Sequence, residues 1–433
     1  MYNTLKYSDS NLMYQFFLLI LGIIALFLVI VVKSKTAIAF WNSPIIFFYT
    51  IFVTTFQLSR VAGAMAYRFS HKKVLPIAPA VGYEPYVTFV IPCKNEKETI
   101  YKTIEKCFEA NYPVEKIEVI IINDGSTDGT GKILKRAKEE FSNLVVVNWR
   151  KNRGKRHGMA EGIKRAKGEI IIQLDSDSYV APESLRGFIQ PFQNPEIGAV
   201  CARTDPENSD QNLLTKMQAA YYFVSFRILK AAESTFFSVF CCSGCASAYR
   251  KSVILPILNK WLREKFLGLL ITWGDDRALT NWVLRKDYKT IYCDDVQAYT
   301  ICPTKLTTFL KQQVRWKKGW FVNSIFASRF VMKKNPFVAI TYFFPLILVT
   351  LLTPFMALKA LVYNPLVGGI SPMFYITGVL LVTSVMTIYY RSISRSNKYW
   401  PYIFVWSAIN MALLSFILFY ALATIQNRKW GTR

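Results

Sequence analysis

Histidine is almost absent from this chain: only His71 and His157 occur among 433 residues. The eight cysteines form no two C-x-x-C motifs. Cys241, Cys242 and Cys245 cluster, but no histidine stands near them in sequence. That scarcity argues against a zinc centre, and the cysteines read as reduced residues that mostly pack. Acidic residues are also few, 28 Asp and Glu against 53 Lys and Arg, leaving a formal charge of +25. No internal repeat, low-complexity segment or nucleic-acid module stands out. The basic residues are spread out rather than gathered in one patch, so nucleic acid is not an expected partner. The positive surplus suits the cytoplasmic side of an anionic membrane. It also suits a polyanionic ligand, such as a nucleotide diphosphate or an acidic polymer.

What the chain has in plenty is apolar. Hydrophobic residues make up 52% and the mean hydropathy is +0.22, too apolar for an ordinary soluble enzyme. The apolar residues gather at the two ends, which points to membrane spans rather than one large core. Met13–Val32 carries no charge and is about one bilayer thick. It is too long for a signal-peptide core, and no small-residue cleavage site precedes Lys33. Pro44–Leu58 runs on into Val61–Met65, interrupted by Arg60. Phe337–Leu361 and Met373–Tyr390 read as further spans, and the basic loop Arg391–Lys398 as cytoplasmic. Tyr402–Thr424 is a last apolar stretch. Asn212–Phe240 and Thr304–Lys334 mix aromatic and basic residues, and both read as amphipathic helices lying on a membrane surface.

Between the ends the pattern alternates. Val87–Pro92, Val119–Ile122, Leu144–Asn148 and Glu169–Leu174 read as strands, and Glu96–Ala110, Gly131–Phe141 and His157–Lys167 as helices. This alternation predicts an α/β domain with a doubly wound, mainly parallel sheet that binds ligands at the carboxyl ends of its strands. The expected division is 1–66 for two N-terminal spans, 67–85 for a linker and 86–300 for a cytoplasmic catalytic domain. Interfacial helices follow at 301–336, a transmembrane or re-entrant region at 337–426 and a tail at 427–433.

Several motifs fall where chemistry is expected. Asp124, in Asn123-Asp124-Gly125-Ser126 after a strand, can face a nucleotide or simply make a turn. Arg153-Gly154-Lys155-Arg156 can hold a diphosphate or be a solvated basic turn. Asp175-Ser176-Asp177 ends a buried strand, and two carboxylates there suit Mg2+ or Mn2+ bridging to a diphosphate. Gly274-Asp275-Asp276-Arg277 precedes a helical stretch, where an aspartate can cap the helix or act as a general base on an acceptor hydroxyl. Gln312, Arg315 and Trp316 form Q-x-x-R-W beside the membrane region. The guanidinium can neutralise a pyrophosphate, and the indole can stack under a sugar.

In this order, and flanked by spans, the motifs resemble the family 2 processive glycosyltransferases, and within them the hyaluronan synthases. Phe266-Leu267-Gly268-Leu269, Gly274-Asp275-Asp276-Arg277, Lys311-Gln312-Gln313-Val314-Arg315-Trp316 and the closing Trp430-Gly431-Thr432-Arg433 carry the likeness. The resemblance implies an A-type glycosyltransferase domain set between membrane helices, with inverting transfer from UDP-GlcNAc and UDP-GlcA. Asp276 would be the base. Asp124, Lys155, Asp175 and Arg315 would bind UDP, Asp177 the Mg2+ or Mn2+, and Trp430 and Arg433 would close over the nucleotide. Trp316, Gln312, Asp275, Arg277 and Cys242 would line the acceptor site, with Cys241 the alternative to Cys242. The chain departs from the family at Val314, where Asn is frequent, and at Gly244-Cys245-Ala246, where Gly-Pro-Leu is frequent; the latter bears on polymer identity.

The resemblance also implies a multi-pass plasma-membrane enzyme with a cytoplasmic catalytic domain. It would act as a monomer, contact membrane lipids and secrete a polysaccharide. A tail that touches UDP must lie on the cytoplasmic side. The Tyr402–Thr424 stretch is therefore expected to be re-entrant or interfacial, bent near Asn410.

Overall fold

The computed structural model describes residues 27, 30–35, 37, 43–74 and 82–427. The expected first span therefore lies largely outside the described residues, as do Trp430 and Arg433. The chain divides into two compact units, 1–61 with 349–415 and 62–348 with 416–433.

The first unit is helical. It takes its helices from α1 (Pro44–Val74, through residue 61), α8 (Phe344–Leu358, from residue 349), α9 (Met373–Ile393) and α10 (Tyr402–Ile409). Among the described residues, Pro44–Phe69, Pro336–Gly368 and Met373–Ile393 are long and apolar enough to cross a bilayer. Ile45, Phe48, Phe355 and Leu366 are exposed along them, a surface that lipid rather than water would cover. Polar groups inside the unit find one another, as is usual where no water competes. Tyr49 Oη and Thr353 Oγ1 lie 2.7 Å apart, Thr383 Oγ1 and Ser407 Oγ 2.9 Å, and Asn364 Nδ2 donates to Ser43 Oγ at 3.3 Å. The Phe47 and Phe374 rings stack with centroids 5.5 Å apart.

The last apolar stretch does not form one straight helix. Tyr402–Leu414 and Ile417–Ala423 meet at an angle of 43°. A π-helical turn at Asn410–Leu414 precedes the break, so the bend falls at residues 415–416, after the expected Asn410. The second half, α11 (Ile417–Ala423), belongs to the other unit and packs there on α7 (Leu306–Ser328).

The second unit is built on a sheet of eight described strands. They are β1 (Val87–Cys93), β2 (Ile117–Asp124), β3 (Leu144–Trp149), β4 (Ile170–Gln173), β5 (Ser178–Val180), β6 (Ile197–Pro206), β7 (Ser247–Arg250) and β10 (Lys289–Thr300), in the order β3-β2-β1-β4-β7-β6-β10-β5. β8 (Lys265–Phe266) and β9 (Leu269–Leu270) form a separate hairpin. The β3-β2-β1-β4 half is parallel, with Val87 opposite both Ile117 and Ile170. Its crossovers are α2 (Ile100–Phe108), α3 (Thr130–Glu140) and α4 (Lys155–Arg165). Every residue of β1 and β2 is buried, because the helices cover both faces, and this explains the near-continuous apolar runs in the sequence. β7 breaks the parallel run by pairing antiparallel to both β4 and β6.

Helix α5 (Leu213–Phe223) continues through a π-helical stretch, Val224–Lys230, to Ser234. It was expected to lie on a membrane surface. Met217, Ala220, Tyr222, Phe223, Phe226, Ile228 and Ala231 are all buried, and Thr235 Oγ1 donates to the Gly63 carbonyl of α1 at 3.0 Å. Its sparse charges do not face water together: Lys230 is itself buried, donating to the Cys241 carbonyl at 2.6 Å.

Candidate active site

The motif residues gather at the carboxyl edge of the sheet. Asp124 is the last residue of β2, and Asp175 and Asp177 follow β4. Because β7 runs antiparallel to β4, with Ser247 opposite Gln173, the segment before β7 arrives at the same edge. That segment contains Cys241 to Gly244.

Helix α4 begins among these groups. Asp124 Oδ1 accepts the Arg153 N–H at 2.6 Å and Oδ2 accepts the Gly154 N–H at 2.8 Å. The carboxylate expected at the nucleotide thus also fixes the turn that starts α4. Successive residues on a helix point about 100° apart, so the first two residues of α4 serve different partners. Lys155 Nζ donates to Asp175 Oδ1. Arg156 turns inward: its Nε donates to Asp275 Oδ1 at 2.7 Å, and its Nη1 to Glu264 Oε2 at 2.9 Å and the Trp261 carbonyl at 3.0 Å. Burial works against the Lys155 cation, but Asp175 and Asp275 outweigh it and raise its pKa; Arg315 is close enough to oppose them.

Asp275 and Asp276 open helix α6 (Asp275–Arg285), where an anion is favoured, and they part company in the same way. Asp275 is buried on Arg156, and burial raises its pKa despite that partner. The structure places Asp275, expected at the acceptor, in a buried ion pair with Arg156. Asp276 is the partly exposed one. Its Oδ2 accepts the Gly244 N–H at 3.2 Å and lies 3.7 Å from Cys241 Sγ, while Oδ1 accepts the Arg277 N–H at 2.8 Å. Burial would raise its pKa, but Lys155, the Arg277 N–H and the Arg277 and Lys230 charges prevail and hold it below the usual carboxylate range. Arg277 lies among Cys241, Glu233 and Asp276, which raise its pKa against the effect of burial.

Gly244 joins the two carboxylate motifs. A Cβ there would lie 3.1 Å from Asp175 Oδ1 and 3.3 Å from Lys155 Nζ, so any side chain would crowd the pair whose neighbour its N–H holds. Of the two cysteines, Cys241 touches Asp276. Cys242, the expected acceptor residue, is fully buried, with its N–H bonded to Thr280 Oγ1 at 3.0 Å and its thiol pKa raised by burial.

Helix α7 brings Gln312, Arg315 and Trp316, all partly exposed. The Trp316 ring lies 6.3 Å from that of Tyr221, at 34°, forming an aromatic pair that the motif alone did not announce. Further along α7, Lys318 Nζ donates to the Thr424 carbonyl at 2.5 Å and the Asn427 carbonyl at 3.2 Å. Ile425 packs with Ile271, Trp273 and Val322. The described end of the chain therefore sits in the same unit as the motifs.

No group of three His, Cys, Asp or Glu side chains converges among the described residues. The Asp175 and Asp177 carboxylate pair suits a hard cation such as Mg2+ or Mn2+, which takes one or two carboxylates and completes its shell with phosphate oxygens and water. It does not fit a dedicated protein cage. Asp177 is partly exposed and accepts from Ser178 Oγ at 3.2 Å, and Asp175 accepts from Lys155.

Residues 88–257 match the family model "Glycosyl transferase family 2". A hyaluronan synthase of Streptococcus pyogenes serotype M1 is 30% identical over 370 residues, covering 81% of this chain and 86% of that protein. An N-acetylglucosaminyltransferase of Azorhizobium caulinodans is 28% identical over 360 residues, covering 82% of this chain and 89% of that protein. Among solved structures, the mannosyltransferase PcManGT from Pyrobaculum calidifontis, in complex with GDP-Man and Mn2+, superposes with a TM-score of 0.58 at 19% identity. The match covers 88% of this chain and 99% of that one, and the shared fold is that of an A-type glycosyltransferase.

Proposed function

We propose that this chain, which belongs to the hyaluronan synthase-like family 2 glycosyltransferases, polymerises hyaluronan from UDP-GlcNAc and UDP-GlcA and passes the product through the membrane. The observation that carries the reading is the meeting of Asp276, the Gly244 N–H and the Lys155–Asp175 pair at one sheet edge. The Arg315 and Trp316 helix lies in the same unit of a membrane protein.

The acceptor hydroxyl stacks its sugar on Trp316 and faces Asp276. Its oxygen bonds to the anomeric carbon of the donor as the bond from that carbon to the diphosphate oxygen breaks. The proton passes to Asp276, and UDP leaves with the electron pair, inverting the anomeric centre. A carboxylate held ionised by Lys155 and Arg277 is ready to receive that proton at neutral pH. Arg315 and Lys155 neutralise the charge that develops on the diphosphate, and Asp124 holds the turn that presents Lys155. A divalent ion at Asp175 and Asp177 would supply further neutralisation of the leaving group. Trp430 and Arg433, just after the anchored Thr424–Asn427 carbonyls, would close over the nucleotide. The basic surface suits an acidic product. On this reading the enzyme is a plasma-membrane monomer with its catalytic domain in the cytoplasm.

Membranes carrying the full chain, given each UDP-sugar alone and then both, test it. Polymer is expected only from the pair, and a hyaluronan-specific lyase should degrade it. Polymer from UDP-GlcNAc alone would establish a chitin-like or poly-N-acetylglucosamine synthase instead. The similarity to N-acetylglucosaminyltransferases and the Cys245-Ala246 departure favour that second reading. Transfer of a single sugar to a membrane lipid would be recognised by product size.

A further inference from the structure

The helix that carries Q-x-x-R-W continues to Ser328. Trp316, Gly319 and Asn323 are spaced three and four residues apart on α7, so they form one row. At Gly319 this row meets the turn before Asp275 and Asp276, backbone against backbone. A Cβ on Gly319 would lie 2.9 Å from Gly274 Cα and 3.2 Å from its nitrogen, and a Cβ on Gly274 would lie 2.8 Å from Gly319 Cα. Asn323 closes the junction. Its Nδ2 donates to the Gly319 carbonyl at 2.9 Å and reaches the Gly274 carbonyl at 3.4 Å, while its own carbonyl accepts from Asn281 Nδ2 at 3.4 Å. Both asparagines are buried. Gly274 has φ +71° and needs glycine for its backbone alone. Gly319 is helical, so nothing but the approach of Gly274 requires glycine there.

We propose that Gly319 and Asn323 are positioning residues of the transfer reaction. Their junction with Gly274 sets the separation between Asp276 on one element and Arg315 with Trp316 on the other. The inference rests on the transferase reading above. Carbon atoms in contact sit about 3.5–4.0 Å apart. A methyl group on Gly319 therefore opens the junction by about 0.6–1 Å, beyond the ~0.5 Å within which catalytic groups need to be held. The base and the acceptor platform would move apart, while the Asp124, Lys155 and Asp175 arrangement on the sheet side would stay.

The test compares Gly319→Ala and Asn323→Leu with wild type in the full-length protein, measuring kcat, the KM for each UDP-sugar and the folded fraction. Gly187→Ala is the control, because a Cβ there meets Val296 at an ordinary 3.6 Å. Gly319→Ala is expected to lower kcat per folded molecule about 10- to 100-fold while each KM shifts less than about threefold. Asn323→Leu is expected to lower kcat about 3- to 10-fold, and Gly187→Ala to leave it unchanged. A Gly319→Ala variant that keeps kcat within about twofold overturns the proposal, as does one that loses only folded protein. If the alanine variant does not fold, an unchanged kcat in Asn323→Leu overturns it. A wild-type protein that transfers no sugar overturns the transferase reading itself, which separates the two failures.

Discussion

Replacing Asp276 by asparagine removes the proton acceptor while keeping the shape of the side chain. In the wild type both carboxylate oxygens are used, Oδ1 by the Arg277 N–H at 2.8 Å and Oδ2 by the Gly244 N–H at 3.2 Å. An amide has one oxygen, so one of these N–H groups must face an NH2 group. Leaving a buried donor unpaired costs about 1–3 kcal/mol, a loss the fold can bear. The catalytic loss is larger, because a positioned general base contributes about 100- to 10,000-fold. Lys155 keeps its hydrogen bond to Asp175, so UDP should bind about as before. The assay is UDP release from both donors, with UDP affinity measured separately on the same preparation. Turnover within about tenfold of wild type would refute the assignment of Asp276 as base.

Other expectations follow from the same geometry. The Asp276 pKa lies below its ordinary value of 3.8, so the base is ionised well below neutrality. Transfer should then show no acid limb between about pH 5 and 8; an activity that falls with a midpoint inside that window would identify another base. The same sign applies to stability: the contribution of the Asp276 contacts is present above the unfolded pKa and is lost as pH falls through the lowered folded value. Arg156→Met leaves Asp275 and Glu264 buried without their cation, a loss of about 3–5 kcal/mol that should lower the thermal unfolding midpoint sharply. Arg156→Lys should not restore it, since one ammonium cannot span both carboxylates. Trp316→Ala should weaken acceptor binding and shorten the product, with an effect of about 0.5–1.5 kcal/mol, while Trp316→Phe retains most of it. Asp124→Asn unpairs one of the Arg153 and Gly154 N–H groups, for about 1–3 kcal/mol, and should raise the KM for both donors by displacing Lys155.

Much of this was legible along the chain. The β1, β2 and β4 runs are apolar because these strands are buried throughout, and such runs are visible without a structure. The placing of Asp124, Asp175 and Asp177 at the strand ends was legible because they end or follow those runs. The apolar helices Pro44–Phe69, Pro336–Gly368 and Met373–Ile393 announce themselves by length and lack of charge. The α5 segment is ambiguous in sequence for a definite reason: aromatic residues with sparse charge suit both a membrane surface and a protein interior, and the burial of Tyr222, Phe226 and Lys230 comes from partners distant along the chain.

The sequence by itself determined which residue types lie at the strand ends and which segments suit lipid, because both follow from local periodicity and composition. Tertiary structure alone decided between adjacent candidates. Asp275 and Asp276 are neighbours with identical chemistry, yet a helix turns them about 100° apart, one to Arg156 and the other to Gly244. Cys241 and Cys242 divide in the same manner between Asp276 and the core. The meeting of Gly274 with Gly319, 45 positions later, leaves no local trace, since a glycine in a helix does not reveal what approaches it. Such choices depend on partners brought from distant parts of the chain, and the physics that makes them is packing rather than propensity.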